Sequence, residues 1–192
     1  MVISPAPADT GIRFRRTDIG EDAYVDALAE NVSCTARSTT ISCGEASVTT
    51  IEHLLSALTG MGVDNALIDI DNVEVPILDG SAKPYIDAIW KDGFETQDAP
   101  RRYIELKETV EIRNDEKGSL VRIEPSEEFS YDITIDFNSR VVGIQHATWN
   151  KEVVYAEEIG TCRTFVFFHE LEFLYNNGLV KGGDVGNAIV VV

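Results

Sequence analysis

The chain has 192 residues, with 33 acidic and 16 basic side chains, and a formal net charge of −17 at pH 7. Hydrophobic residues make up 44% of the sequence, which is typical of a globular protein and too many for a disordered one. A phosphate backbone would repel such an acidic protein, so we expect no nucleic-acid partner. Apolar runs fall well short of the roughly 18 residues of a membrane span, which predicts no transmembrane segment. Three cysteines without a Cys-x-x-Cys spacing indicate reduced thiols and a cytoplasmic location.

The first part of the chain is predicted to alternate short strands with two helices. Alternating or β-branched residues indicate strands at 12–16, 46–49, 65–71 and 73–78. A helix is predicted at 50–60, with Thr49 or Thr50 as its N-cap and an apolar stripe formed by Ile51, Leu54, Leu55 and Leu58. A second helix is predicted after Asp79, capped by Ser81 and ended by Gly93, with a buried face of Tyr85, Ile86, Ile89 and Trp90.

A polar stretch with a proline, at about 96–102, is predicted to be a linker. Strands follow at 103–112, 119–124 and 129–137, and the first two are joined by a hairpin turn at 114–118. A strand at 163–168, a helix at about 168–177 and a strand at 187–192 complete the predicted elements.

Both parts of the chain place Asn-Ala and an aliphatic residue after a helix and a glycine, at Asn65 and at Asn187. This weak repeat indicates an α+β protein of two similar domains, each with helices packed on one face of a mostly antiparallel sheet. The linker predicts that these domains cover residues 1–98 and 103–192, with the first and last parts of the fold missing.

The most suggestive chemical pair is Glu52-His53 at a predicted helix start. A helix N-terminus disfavours a protonated imidazole, which keeps a ring nitrogen able to bind zinc. The neighbouring carboxylate could act as a general base on metal-bound water. The alternative is a capping acid beside an ordinary histidine. The other histidines, His146 in a loop-like segment and His169 at a helix start, show no ligand-pair spacing, so the sequence holds no complete zinc site.

Other candidates have simpler structural explanations. Thr164 could donate a hydrogen bond to an oxyanion and Phe165 could stack on a sugar ring, or both could be sheet-core residues. The glycine-rich segment 181–186 lacks phosphate-loop spacing. Asp69 and Asp71 form an Asp-x-Asp pair, but alternation in a half-buried strand explains it better. The cluster Arg13, Arg15 and Arg16 is explained as the solvent face of an edge strand.

Five segments, in this order, resemble the UDP-3-O-acyl-N-acetylglucosamine deacetylase family: Thr50-Ile-Glu-His-Leu, Gly62-Val-Asp-Asn-Ala, Glu74-Val-Pro-Ile-Leu-Asp-Gly-Ser-Ala, Arg163-Thr-Phe and Gly178-Leu-Val-Lys-Gly-Gly. The resemblance extends over essentially the whole chain. It implies a zinc amidase of two similar α+β domains with the active site between them. It further implies the committed step of lipid A synthesis in Gram-negative bacteria, on a UDP-linked acylated N-acetylglucosamine, by a protein that is monomeric when complete.

The same resemblance implies a role for individual residues. His53 corresponds to the first zinc ligand, Glu52 to the general base on zinc-bound water, and Thr164 to the side chain that stabilises the tetrahedral oxyanion. Expected substrate contacts are Phe165 at the glucosamine ring, Glu170 as a nearby acidic contact, Lys117 near the nucleotide, and Leu171, Val180, Gly183 and Ala188 along an apolar passage for the acyl chain.

The sequence also departs from the family. The family's two other zinc ligands and its general-acid histidine lie beyond the final apolar strand, and its opening segment precedes Met1. We therefore expect these 192 residues to bind zinc weakly or not at all and to be inactive by themselves. One alternative is a non-catalytic sugar-nucleotide-binding or regulatory homologue. Another is an Asp-x-Asp glycosyltransferase, which would require manganese and a parallel sheet.

Overall fold

The computed structural model describes residues 1–180 and 182–192. The chain forms two compact units, one made of Met1–Ala99 with Val154–Val192 and the other of Pro100–Val153. The sequence predicts a linker at about 96–102 between domains of residues 1–98 and 103–192. In the structure, residues 154–192 group with the first part of the chain. The division of a complete protein into two similar domains stays a prediction.

The described part of the first unit contains nine strands and four α-helices. The strands are β1 (Val2–Pro5), β2 (Ile12–Arg16), β3 (Tyr24–Asp26), β4 (Val32–Cys34), β5 (Thr40–Cys43), β6 (Ala46–Val48), β7 (Ala66–Ile70), β12 (Phe165–Phe167) and β13 (Ile189–Val191). The helices are α1 (Glu52–Gly60), α2 (Lys83–Asp92), α3 (Tyr155–Glu158) and α4 (Leu171–Asn176), with short 3₁₀ turns at Ala29–Asn31 and Phe168–Glu170. The chain contains both helices and strands, and most strand pairs are antiparallel, which confirms the α+β class.

The described residues of this unit form three sheets. The largest has the order β1-β7-β2-β3, in which β2 and β7 are parallel and the outer pairs are antiparallel. Strands β4, β5 and β6 form an antiparallel sheet, and β12 pairs with β13 in parallel. A parallel pair requires a crossover, and α1 and α4 lie in the connections between their respective parallel strands. Along the chain, α1 follows β6, and α4 follows β12 with a 3₁₀ turn between them.

The apolar core of the first unit joins the two larger sheets to α1 and α2. Buried residues come from both sheets and both helices, among them Phe14, Ile41, Leu54, Ile68 and Ile86. The predicted apolar stripe of α1 is confirmed, since Leu54 and Leu58 are fully buried. On α2, Trp90 is 65% exposed, so its assignment to the buried face is wrong. Trp90 lies in the last turn of α2, beyond the residues that contact the core cluster.

Two local predictions require correction. The segment 73–78 is not a strand of the described structure, because it contributes a single parallel bridge from Glu74 to Thr49. The first helix begins at Glu52 with Ile51 as its N-cap, so neither Thr49 nor Thr50 caps it. Thr50 has φ +60°, and its hydroxyl donates to the Glu74 carboxylate at 3.0 Å. Thr50 therefore stabilises the bridge between Thr49 and Glu74, which precedes the helix.

The arginines of β2 are also explained differently by the structure. β2 lies inside its sheet, so the prediction of an edge strand is wrong. Arg13 pairs with Asp26 on β3, and Arg15 pairs with Asp69 on β7 at 2.7 Å. These arginines neutralise acids on the neighbouring strands, and the pairing of Asp69 explains one member of the Asp-x-Asp pair.

The second unit consists of two antiparallel hairpins. Strands β8 (Val110–Asn114) and β9 (Ser119–Ile123) are joined by the predicted turn, with Asn114 opposite Ser119. Strands β10 (Tyr131–Asp136) and β11 (Ile144–Trp149) form the other hairpin. The strand predicted at 103–112 begins only at Val110, and His146, predicted to lie in a loop, is part of β11.

No described helix has the length and apolar character that crossing a bilayer needs.

Candidate active site

The pair Glu52-His53 occupies the first turn of α1. Glu52 is the first helical residue, and both side chains are half-buried. The approach to the helix is fixed by the bridge to Glu74, in which the Thr49 amide donates to Val73 and the Val75 amide donates to Thr49. The positive end of the helix dipole lies at this turn and favours a carboxylate there.

The Glu52 carboxylate is held by the backbone of another segment. The Thr39 amide, which immediately precedes β5, donates to Glu52 Oε2 at 3.0 Å. A carboxylate offers about four acceptor positions, so this hydrogen bond leaves capacity for a further proton donor. The geometry is therefore compatible with a base that is oriented from one side.

Thr164 lies directly before β12 and is fixed through its backbone. Its amide donates to the Gly80 carbonyl at 2.8 Å, and its own carbonyl accepts from the Ile189 amide at 3.0 Å. Thr164 is half-buried, and its methyl carbon would lie 3.3 Å from a Cβ placed on Gly80. The Asp-Gly-Ser motif and the Arg-Thr-Phe motif, more than 80 residues apart in sequence, are thus brought into contact.

Gly80 is the point of closest approach in this contact. Its φ is +81°, and a Cβ there would lie 2.0 Å from the carbonyl oxygen of Asn187. A glycine is required both by the left-handed backbone and by the space. The sequence analysis identified the motif around Gly80 but not this requirement.

Arg163 supports the same region, a role that the sequence analysis missed. Its guanidinium donates to the Asp79 carbonyl at 2.7 Å and to the Gly186 carbonyl at 2.6 Å. Burial acts to raise the pKa of Asp79, but hydrogen bonds from the Ser81 hydroxyl and amide and the charge of Arg163 bring this pKa below its usual value. The feature of the sequence that could have indicated this role is that Arg163 directly precedes Thr164 in the motif.

Phe165 and Glu170 lie at opposite ends of the segment that follows Thr164. The Phe165 ring meets Phe167 edge-on at 5.7 Å and is partly exposed. Glu170 forms an ion pair with Arg37, at 2.6 Å between Oε1 and Nη2. Hydrogen bonding to Arg37 holds the pKa of Glu170 below its usual value. Contact of either residue with substrate stays a prediction.

The four residues expected along an acyl passage all belong to the last part of the chain. Leu171 begins α4, Val180 follows it, and Ala188 precedes β13, all three being half-buried. The Gly183 amide donates to the Val180 carbonyl at 3.1 Å, so these two residues share a turn. Lys181 of the glycine-rich segment lies outside the described residues. The passage itself stays a prediction.

Lys117 lies in the second unit, in the turn between β8 and β9. Its side chain is exposed, and its amide donates to the Asn114 side chain at 3.0 Å. This describes the turn but does not test an approach to a nucleotide, which stays a prediction.

The residues present do not by themselves fit a zinc site. Among residues 1–180 and 182–192, no group of three His, Cys, Asp or Glu side chains could hold a metal ion. His146 contacts Asp132 at 2.8 Å within the second unit, and the His169 ring stacks on Phe167 at 5.4 Å. His53 therefore offers one ligand where a catalytic zinc needs about three from the protein.

Two contacts tie segments of the first unit that carry the catalytic candidates. Glu170, which follows Thr164 by six residues, pairs with Arg37. The Thr39 amide, two residues after Arg37, donates to Glu52. The segments that carry the predicted base and the predicted oxyanion donor therefore belong to one unit and are tied to each other through residues 37–39.

Comparison with known proteins gives consistent results. A family model described as LpxC: UDP-3-O-acyl N-acetylglycosamine deacetylase matches residues 1–192. The chain is 44% identical over 192 residues to a Helicobacter hepaticus protein named UDP-3-O-acyl-N-acetylglucosamine deacetylase, covering 100% of this chain and 63% of that protein. It is 41% identical over 194 residues to a protein of that name from Teredinibacter turnerae, with 63% of that protein covered. A Porphyromonas gingivalis protein named Bifunctional enzyme LpxC/FabZ is 42% identical over 187 residues, which are 97% of this chain and 40% of that protein. The chain thus spans less than two thirds of the length of these relatives.

Proposed function

Because this chain belongs to the LpxC family, UDP-3-O-acyl N-acetylglycosamine deacetylase, we propose that the complete protein removes the acetyl group from UDP-3-O-(3-hydroxyacyl)-N-acetylglucosamine in lipid A biosynthesis. The structural observation that supports this best is that Glu52 and Thr164 belong to one unit and that hydrogen bonds hold each of them, at the Glu52 carboxylate and at the Thr164 backbone. The chain covers 63% of the Helicobacter hepaticus and Teredinibacter turnerae proteins, so the proposal concerns the complete protein, which we propose to be a cytoplasmic protein of a Gram-negative bacterium.

We propose the following roles for the residues of this chain. Glu52 accepts a proton from the attacking water, since its carboxylate is held from one side by the Thr39 amide. Thr164 donates a hydrogen bond to the oxygen that becomes negative as the acetamide carbonyl is attacked, because its backbone is fixed at both amide and carbonyl. Phe165, Glu170, Lys117 and the residues of the expected acyl passage would contact the substrate. Transfer of an acyl chain from water into such a passage is favourable by roughly 0.8 kcal/mol for each buried methylene.

Zinc dependence is part of the proposal. His53 would supply one ligand, and the others would have to come from outside the described residues, because these contain no group of three suitable side chains. We therefore expect stoichiometric zinc in the complete protein and weak or absent binding by the 192-residue chain.

The test measures acetate release from the UDP-linked substrate by the complete protein. Glu52→Gln should lower kcat roughly 100-fold or more, since general bases contribute about 10²–10⁴-fold. Thr164→Val should lower kcat by about 10²-fold, as the loss of an oxyanion donor does elsewhere. Glu45→Gln, an exposed acid between β5 and β6, is the matched control and should leave kcat unchanged. Binding of the nucleotide sugar without turnover would instead favour a non-catalytic homologue.

A further inference from the structure

The tripeptide Arg37–Thr39, which leads into β5, is anchored at each of its residues. Arg37 pairs with Glu170, the Ser38 hydroxyl contacts the Thr49 hydroxyl at 3.0 Å, and the Thr39 amide donates to Glu52. Glu170 ends a 3₁₀ turn, Thr49 lies in the bridge between β6 and α1, and Glu52 begins α1, so the three anchors come from different segments of the first unit. A loop that is held in this way has little freedom to move its amide relative to the carboxylate of Glu52.

The backbone of Arg37 carries a strain that its contacts must maintain. Its φ is +65°, in the left-handed region that disfavours a residue with a Cβ. Such conformations persist where the surroundings over-determine them. The ion pair with Glu170 is the contact that the Arg37 side chain itself supplies.

The geometry of this ion pair is suited to holding the loop of residues 37–39 in one position. Both guanidinium Nη atoms approach the Glu170 carboxylate, at 2.6 and 3.4 Å, and Oε2 of Glu170 also accepts from the Phe167 amide at 3.4 Å. The Arg37 side chain is 52% exposed, so the pair contributes little to global stability. Its effect is expected in the position of the loop.

We infer that Arg37 is a positioning residue for Glu52: paired with Glu170, it fixes the tripeptide so that the Thr39 amide orients the Glu52 carboxylate. This inference rests on the proposed function for the role of Glu52. In this role Glu170 influences Glu52 through Arg37, and the role is separate from the contact with substrate that is expected of Glu170. No motif or spacing in the sequence marks Arg37.

The first test is hydrogen exchange of the Thr39 amide in the 192-residue chain. Arg37→Gln should raise its exchange rate roughly tenfold, the protection given by about one hydrogen bond, while the amides of α1 and β7 keep theirs. Arg113→Gln removes a comparable exposed ion pair with Glu111 and is the matched control. Unchanged exchange at Thr39 would overturn the inference, and so would a general rise across α1 and β7, because the pair would then act on overall stability.

The second test is kinetic and uses the complete protein. Arg37→Gln should lower kcat roughly 10- to 100-fold with KM within about twofold, as expected when a reacting group is displaced. Arg37→Lys, which keeps a positive charge beside Glu170, should retain more of kcat than Arg37→Gln does. An effect on KM alone would assign the pair to substrate binding and overturn the inference.

The two tests separate this inference from the proposed function. A wild-type complete protein without deacetylase activity would refute the proposed function. The exchange experiment would still decide whether Arg37 holds the Thr39 amide against Glu52.

Discussion

Replacing Gly80 with alanine tests the contact that places Thr164. Gly80 is buried, has φ +81°, and its carbonyl accepts the Thr164 amide at 2.8 Å. An added Cβ would lie 2.0 Å from the Asn187 carbonyl oxygen and 2.9 Å from its carbon. Both atoms belong to the backbone, so the clash cannot be relieved by turning a side chain.

The expected loss of stability has two parts. A left-handed residue with a Cβ costs roughly 1–2 kcal/mol. Forcing the backbone of Asn187 away adds about 1–3 kcal/mol, as overpacking does in well-packed sites. Gly80→Ala should therefore lower the free energy of unfolding by roughly 2–5 kcal/mol, a large fraction of the stability of a domain.

The assay is urea denaturation with Gly44→Ala as the matched control. Gly44 also has a left-handed backbone, at φ +57°, but its Cβ would meet no atom within 4 Å. The control should lose only the part of the unfolding free energy that comes from the left-handed backbone. The difference in unfolding free energy between the two variants therefore measures the cost of the clash with Asn187. Equal losses in both variants would refute the close contact between Gly80 and Asn187.

Two further predictions concern the core. Tyr85→Phe removes the hydroxyl that donates to the Pro76 carbonyl, and we expect a loss of about 1 kcal/mol at neutral pH. Burial raises the pKa of Tyr85 to about 12, so this stabilisation is complete below the unfolded-state pKa of about 10 and is lost as the pH rises toward about 12; a constant difference in unfolding free energy between wild type and variant across that range would contradict it. Leu54→Ala, at a fully buried position of α1, should cost about 2–5 kcal/mol in urea denaturation, whereas Leu28→Ala at an exposed position should cost less than about 1 kcal/mol. Similar losses for the two leucines would contradict the assignment of the core.

Local periodicity was sufficient to predict the elements that bury one face. The stripe of α1 and the alternation of β7 depend on residues three to four or two positions apart, and both are found as predicted. The segment 73–78 has similar alternation, but Leu78 adopts φ +53° and Glu74 bridges Thr49. Its conformation is decided by a partner 25 residues away, which no local pattern contains.

The residues of the candidate site could likewise be predicted only where a local motif contains them. The sequence identified Glu52, beside His53 at a helix start, and Thr164, in the Arg-Thr-Phe motif, as candidates, and the family resemblance implied their roles. Arg37 was missed because its partner, Glu170, is 133 residues away in sequence. An arginine in a polar loop is ordinary until the fold places a carboxylate beside it.

The two parallel strand pairs of the first unit can be compared residue by residue, and the internal repeat itself stays a prediction. In the first parallel pair the Ala66 amide donates to the Gly11 carbonyl, directly before β2, and Ile12 lies opposite Ala66. In the second pair the Ile189 amide donates to the Thr164 carbonyl, directly before β12, and Phe165 lies opposite Ile189. The registers therefore equate Ala66 with Ile189, one residue later than the Asn-Ala match does. Thr164 stands where the first pair has Gly11, so the hydroxyl proposed to act on the substrate occupies a position that carries no side chain in the first pair.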